Sequence, residues 1–240
     1  MARTGRVALI TGATRGIGRD VALGLAQDGF ELALMARTHR DLTELINELW
    51  TRTGRHGDHT AHQVDVADQQ AIQKAIYTIH QHYGRIDVLV NNAGAYTPGS
   101  LELTEQELDH VLRVNLVAPF LLMQAVLPVM KQQGAGYVFN IASRAGKVGF
   151  AGDGAYVASK FGLVGLSESI YREYAAAGVS VTALCPGWTN TGMAQEAGTP
   201  LPPQEMIQPS DILETIRWIL RLTPAARVRE VMLECRNSIS

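Results

Sequence analysis

Two cysteines in 240 residues, Cys185 and Cys235, are too few for a disulfide framework and stand in no metal-ligand spacing. The chain lacks the run of roughly 18 apolar residues that a membrane-spanning helix requires. Its amino-terminal apolar stretch, Val7 to Ile10, is too short for a signal-peptide core. The net charge of −2 sets up no field that would draw nucleic acid or an anionic membrane. Linkers rich in Pro, Gly and Ser are missing, and so are internal repeats. His56, His59 and His62 fall close together without a supporting carboxylate ligand set, so they read as solvated loop side chains and no metal is expected. What these absences leave is a cytoplasmic protein with reduced thiols. At 46% hydrophobic residues, it has enough apolar content for one core spanning residues 1–240.

What is present alternates in period. Arg6 to Ile10 reads as a buried strand and runs into Thr11-Gly-Ala-Thr-Arg-Gly16-Ile-Gly18. A glycine-rich turn between strand and helix lets backbone approach a pyrophosphate, and the helix that follows aims free N–H groups at the anion. Ile17, Val21 and Leu25 then recur every four residues. Glu31 to Met35 forms a second strand. At its end an NAD site offers a carboxylate to the ribose, but this chain has Ala36-Arg37-Thr38. A guanidinium there suits a 2′-phosphate, with Arg15 closing from the other side, so the expected cofactor is NADP(H).

Thr38 to Asp41 has capping-box spacing ahead of a helix marked by Leu42, Leu45, Ile46 and Leu49. Strands follow over Thr60 to Val64, Ile86 to Val90, Tyr137 to Ile141, Val179 to Leu184 and Glu230 to Glu234, with helices between them. The expected fold is a doubly wound α/β sheet of about seven parallel strands with helices on both faces. Ligands in such sheets lie at the carboxyl ends of the strands, and every motif falls there: the glycine turn, Arg37, Asp65-Val66 and Asn91-Asn-Ala-Gly94. Residues 188–209 are too irregular for a regular element and read as a substrate loop.

Tyr156 and Lys160 stand four apart and share a helix face. An ammonium beside a phenol lowers its pKa and fits it to trade protons near neutral pH. Asn115, in the middle of an apolar helix opened by Thr104-Glu-Gln-Glu107, is either a structural tie or part of a water-filled relay. Ser143 follows a strand, about a dozen residues before the tyrosine helix.

Taken together, Thr11-Gly-x-x-x-Gly16-x-Gly18, Asn91-Asn-Ala-Gly94, Asn115, Ser143, Tyr156-x-x-x-Lys160 and Pro186-Gly187 resemble the short-chain dehydrogenases/reductases in order and spacing over nearly the whole chain. The resemblance implies a catalytic set of Asn115, Ser143, Tyr156 and Lys160. In that set Tyr156 is the acid/base, Ser143 bonds the substrate carbonyl, Lys160 binds the nicotinamide ribose and Asn115 supports a proton relay. It also implies cofactor contacts from Gly12, Thr14, Arg15, Gly16, Ile17, Gly18, Arg37, Asp65, Val66, Asn92, Ala93, Gly94, Pro186, Gly187, Thr189 and Thr191. NADPH-dependent ketone reductases look most similar, including those that act on 3-oxoacyl chains held by a carrier protein, for which Lys131 and Arg172 stand where an acidic carrier could meet them. The carboxyl end, Arg229 to Arg236, departs from that branch in lacking Asp-Gly-Gly.

The expected partner is a small carbonyl or alcohol substrate. The rival reading is a non-catalytic NADP(H) sensor or scaffold on the same fold. Surplus apolar residues on the two long helices, Phe120 to Met123 and Phe161 to Tyr174, point to a homodimer or homotetramer.

Overall fold

Four apolar residues in a row cannot alternate between core and solvent, so both sides of β1 (Val7–Thr11) must be covered. The computed structural model, which describes residues 5–54 and 57–237, shows how. Ala8 and Ile10 point into one apolar cluster beneath α1 (Gly16–Gln27), α2 (His39–Thr53) and α8 (Pro209–Arg221). Val7 and Leu9 point the opposite way, toward α3 (Gln69–Tyr83), α5 (Ala118–Gln133) and α6 (Gly154–Tyr174). The same alternation of facing carries β2 (Glu31–Ala36), β4 (Val88–Asn91), β5 (Gly136–Ile141) and β6 (Val179–Pro186) between two helical layers. The outer strands are β3 (Thr60–Gln63) and β7 (Glu230–Leu233).

All seven strands are parallel, in the order β3-β2-β1-β4-β5-β6-β7. The chain winds one way from β1 to β3 and the other way from β4 onward. The reversal leaves a crevice beyond the carboxyl ends of β1 and β4, where neighbouring loops turn apart. The doubly wound sheet expected from the sequence is the one observed.

Several local readings change. Thr38 precedes α2 but its side chain makes no cap bond, so Asp41 serves that end only by placing a negative charge in the first turn. Thr104 and Glu107 do form a capping box, opening α4 (Glu105–Leu112). The single long helix expected around Asn115 is broken by one π turn, Arg113–Val117, before α5 begins. Residues 188–209 are more ordered than the composition suggests. They hold α7 (Gly192–Glu196), a short 3-10 turn at Pro203–Glu205 and a parallel bridge from Thr189 to Ile207.

Two of the clustered histidines, His59 and His62, are not solvated loop side chains. Nδ1 of the buried His59 accepts from the Leu32 N–H at 3.2 Å, and burial lowers its pKa, which keeps it a neutral acceptor. His62 lies half-buried in β3 within 2.8 Å of the Thr60 hydroxyl, while His56 falls outside the described residues. The helical stretch Glu105–Gln133 is long and apolar enough by composition to cross a membrane, yet half of its most apolar part is buried inside the fold. Leu122, Val126 and Met130 there face the sheet.

Candidate active site

The site begins where β1 gives out. Gly12 and Gly16 hold φ of 61° and 52°, a region that side-chain-bearing residues rarely enter. A Cβ on Gly18 would lie 2.3 Å from the Gly12 carbonyl oxygen. Arg15 occupies the N-cap of α1 in extended conformation with no side-chain cap bond, so the first N–H groups of that helix remain free to meet an anion. The turn therefore fits a pyrophosphate. Thr14 is half-buried and Arg15 exposed on its rim, while Ile17 turns inward against the core.

Side chains rather than strand pairing fasten this turn to the end of β4. The Thr11 hydroxyl oxygen accepts from the N–H groups of Asn92 and Ala93, both at 3.0 Å. Asn92 Nδ2 donates to the carbonyls of Thr11 and Gly12, again at 3.0 Å. The Asn92 amide is thus committed to holding two loops together, and only the backbone of 92–94 faces the crevice.

Next door, Arg37 is exposed past the end of β2, with its carbonyl oxygen tied to Gln63 Nε2 at 3.1 Å. Asp65 is exposed, its carboxylate accepting from the Ala67 N–H at 2.9 Å. Val66 turns its side chain into the core, which leaves backbone to border a ligand there.

The polar set gathers at the ends of β5 and β6. Ser143 caps a short 3-10 turn by accepting from Ala145 N–H at 3.1 Å, and its hydroxyl is also hydrogen-bonded to Tyr156. Lys160 is only 4% exposed, and its Nζ donates to the Ile141 carbonyl at 2.9 Å. That ammonium lies 5.5 Å from the centre of the Tyr156 ring. The expectation that it lowers the phenol's pKa is not met by this arrangement. Burial pushes Tyr156 up, the Ser143 bond pulls it back, and the charge of Asp153 adds to the rise. Burial also brings Lys160 itself down, to about 8.

Asn115 is fully bonded within the protein. Its Nδ2 donates to Ala95 O at 2.8 Å and to Ser159 Oγ at 3.0 Å, and its Oδ1 accepts from Ala95 N–H at 2.8 Å. Ser159 Oγ in turn donates to the Tyr156 carbonyl at 2.7 Å. These bonds tie the loop after β4 to the tyrosine helix. The π turn provides the widened backbone that aims Asn115 inward.

The loop after β6 closes the site. Gly187 N–H reaches the Leu233 carbonyl of β7 at 2.8 Å just after Pro186 ends β6. Thr189 is buried, and Thr191 caps α7 through the Ala194 N–H. The Thr191 methyl would lie 3.1 Å from a Cβ on Gly16, so this loop rests directly on the glycine turn. The residues expected from the sequence therefore lie at the carboxyl ends of six strands, β1 to β6.

A model of the short chain dehydrogenase family matches residues 6–201. The chain belongs to the short-chain dehydrogenase family. It is an oxidoreductase, and other family members resemble it over most of their length. It is 35% identical to a 3-oxoacyl-(acyl-carrier-protein) reductase of Staphylococcus aureus across 88% of this chain and 89% of that protein. Among solved structures, a beta-ketoacyl-(ACP) reductase from Bacteroides thetaiotaomicron superposes with TM-score 0.88 at 39% identity, covering 99% of both chains. An alcohol dehydrogenase from Thermococcus sibiricus, solved with 5-hydroxy-NADP, gives 0.86 at 32% identity over 95% of each chain.

The motifs of a short-chain dehydrogenase do not by themselves disclose Tyr96, Asp153 or Ser159, which the fold brings against Tyr156 from a loop and from its own helix. Ser159 carried a signal in its place inside the Tyr156–Lys160 turn. Tyr96 and Asp153 carried none, because only the crossover of the chain makes them neighbours.

The buried lysine has a measurable consequence. Its folded pKa lies near 8, below its ordinary value of 10.5, so between those limits the unfolded chain holds more protons and stability rises with pH. Burial acts oppositely on Cys185, raised to about 11 from 9.0, so the native curve alone mixes two effects. Relative to Lys160→Met, urea unfolding of the native protein is expected to gain about 2–3 kcal/mol between about pH 7 and pH 10. Parallel curves for the two proteins would show that Lys160 keeps its ordinary pKa.

Proposed function

We propose that the protein is an NADP(H)-dependent carbonyl reductase whose substrates are neutral 3-oxoacyl thioesters, including chains held by a carrier protein. The observation that carries this reading is the gathering of Ser143, Tyr156 and Lys160 past the end of β5, at the same carboxyl edge of the sheet as the glycine turn. Reducing a carbonyl develops negative charge on its oxygen, and two hydroxyl donors aimed at one point stabilise that charge. Two of the relatives named above are reductases of 3-oxoacyl chains on a carrier protein, which supports the substrate class, and the alcohol dehydrogenase was solved with an NADP derivative, which supports the cofactor.

In this reading the turn from Gly12 to Gly18 seats the pyrophosphate, while Arg37 and Arg15 hold the 2′-phosphate that an acid would repel. The backbone of Asp65-Val66 and of Asn92 to Gly94 borders the cofactor, and Pro186, Gly187, Thr189 and Thr191 line it from the loop. When bound, the dihydronicotinamide supplies the hydride. Ser143 orients the substrate oxygen, and Tyr156 gives its proton to that oxygen as the charge forms. A phenol kept protonated by burial is suited to the reducing direction, because it starts as the acid. Lys160 fixes the ribose edge, and Asn115 holds the loop after β4 against the tyrosine helix. We treat residues 1–240 as one catalytic unit, with 188–209 as its substrate-facing part.

A carrier protein would not find Arg172 free, since it pairs with Glu168 at 2.6 Å. Lys131 remains on the rim of a cavity of about 370 Å³ beside Glu173 and Tyr174.

We also propose a dimer. Of the surplus apolar residues on α6, Leu163 is core, and Leu166, Ile170 and Tyr174 pack partly against it. Phe161 remains 44% exposed, as does Phe120 on α5 at 43%, with Leu108 and Val117 nearby in sequence on the same run of helix. A second copy covers that band through a twofold contact, and a tetramer would need a further face. A cytoplasmic location accords with two buried thiols not joined in a disulfide.

Three measurements test these statements. With NADPH and a panel of ketones, aldehydes and 3-oxoacyl thioesters, turnover is expected for the thioesters. In the same assay Tyr156→Phe should lower it at least about 10²-fold with cofactor affinity kept, and Ser143→Ala should lower it less. Binding without turnover across the panel would favour the sensor or scaffold reading. Arg37→Ala should weaken NADPH by about 2–4 kcal/mol and leave NADH unchanged; equal native affinities for the two cofactors would refute the phosphate site. Sedimentation at micromolar concentration should give a dimer or larger, and a monomer would mean that the exposed helical band serves something else.

A further inference from the structure

The loop that follows β4 is latched to the start of α6 by three bonds of different kinds. Gly99 N–H donates to the Gly152 carbonyl at 2.6 Å. Gly154 N–H donates to Ser100 Oγ at 3.0 Å. The Tyr96 hydroxyl donates to Asp153 Oδ1 at 2.8 Å. Both partners of the third bond sit beside the proton donor. The Tyr96 ring meets the Tyr156 ring edge-on, with centroids 5.4 Å apart and planes at 78°. Asp153 lies three residues ahead of Tyr156, at the N-cap of the same helix, yet makes no side-chain cap bond there. Its carboxylate is therefore committed to Tyr96 instead of to the helix.

We propose that the Tyr96–Asp153 pair positions Tyr156 and makes the site select uncharged carbonyl substrates, turning away those that carry a carboxylate next to the reacting group. The inference rests on the reductase reading and narrows it. A carboxylate entering beside Tyr156 would meet Asp153, and like charges brought together out of water repel strongly. Cations that flank the site are engaged elsewhere. Lys160 points to the Ile141 carbonyl, Lys147 pairs with Glu230 at 2.9 Å, and Arg144 lies 3.6 Å from Glu234 and over the Phe150 ring. A thioester or ester has no charge at that end and so escapes this repulsion.

The groups around Tyr156 pull in opposite directions, with the rise prevailing. Burial and Asp153 raise it and the Ser143 hydroxyl lowers it, while the Lys160 ammonium lies 5.5 Å from the ring centre and donates to the Ile141 carbonyl. Tyr96 is itself raised to about 12 by burial and by Asp153, so it stays a donor to that carboxylate.

The test compares ethyl 3-oxobutanoate with the 3-oxobutanoate anion, using NADPH and the full chain. The native protein should favour the ester in kcat/KM by at least about a hundredfold. Asp153→Asn keeps an acceptor for Tyr96 and removes the charge. It should cut the preference at least about tenfold, mainly through KM for the anion, and move the alkaline limb of the kcat profile to lower pH by about half a pH unit or more. Asp153→Glu should restore both. An unchanged preference and an unchanged profile in Asp153→Asn would overturn the proposal.

If the native protein reduces neither compound, the reductase reading fails on its own, and the pair is then judged without turnover. Tyrosinate absorbance, taken as the difference from Tyr156→Phe, should titrate at lower pH in Asp153→Asn; an unmoved titration refutes the pair. Should Asp153→Asn not fold, Tyr96→Phe replaces it. Stripped of its donor, Asp153 should then sharpen the preference for the ester and raise the Tyr156 titration, and no change in either would count against the proposal.

Discussion

Everything at the site depends on how the ends of β1 and β4 are held together. These neighbours in the sheet lead their chains in opposite directions, and the crevice between them would be a weak seam if backbone pairing were its only bond. Thr11 and Asn92 close it with four hydrogen bonds near 3.0 Å, one side chain working in each direction. Buried polar groups must find partners, and here they find one another. The same bonds fix the backbone on which a cofactor would lie. Gly12 holds positive φ because it has no Cβ, and Asn92 takes up its carbonyl.

A second set of buried polar groups carries that order toward the tyrosine helix. Asn115 bonds Ala95 and Ser159, and Ser159 bonds the Tyr156 carbonyl. Deeper in the sheet, Asn91 donates to Asn140 at 2.7 Å and Asn140 to Ser167 at 2.8 Å. These chains tie β4, β5, α6 and the π turn into one unit, so Tyr156 is placed by satisfied hydrogen bonds rather than by a single contact. The electrostatics follow from the same burial. Desolvation disfavours charge on both Tyr156 and Lys160, leaving a phenol that holds its proton and an ammonium that holds its own less firmly.

Much of this was legible beforehand. The apolar runs of β1 and β2 demand cover on both faces, and the glycine spacing after β1 admits little besides a phosphate-binding turn. The Thr104 capping box and the helical spacing of Tyr156 and Lys160 were also local and came out as read. Errors arose where a distant neighbour decided. Thr38 has capping spacing but no cap bond. His59 looked like a loop histidine, and it is buried because the Leu32 N–H needs an acceptor at the sheet margin. The helix through Asn115 carries Pro119, which has no N–H to give the carbonyl four residues back, and the π turn falls just ahead of it; that signal was local but went unread.

The sequence by itself determined the strand and helix periods, the winding of the sheet and the residue types gathered at its carboxyl edge. These follow from chemistry within a few positions of the chain: side-chain alternation, helical spacing, glycine freedom. Tertiary structure alone decided the electrostatic state of the site and its neighbours. Whether Lys160 lowers the pKa of Tyr156 or turns to the Ile141 carbonyl depends on distances set by packing. Whether Asp153 caps a helix or grips Tyr96 depends on a loop 57 residues away. Burial and Coulomb interactions act through space, and no spacing along the chain encodes them.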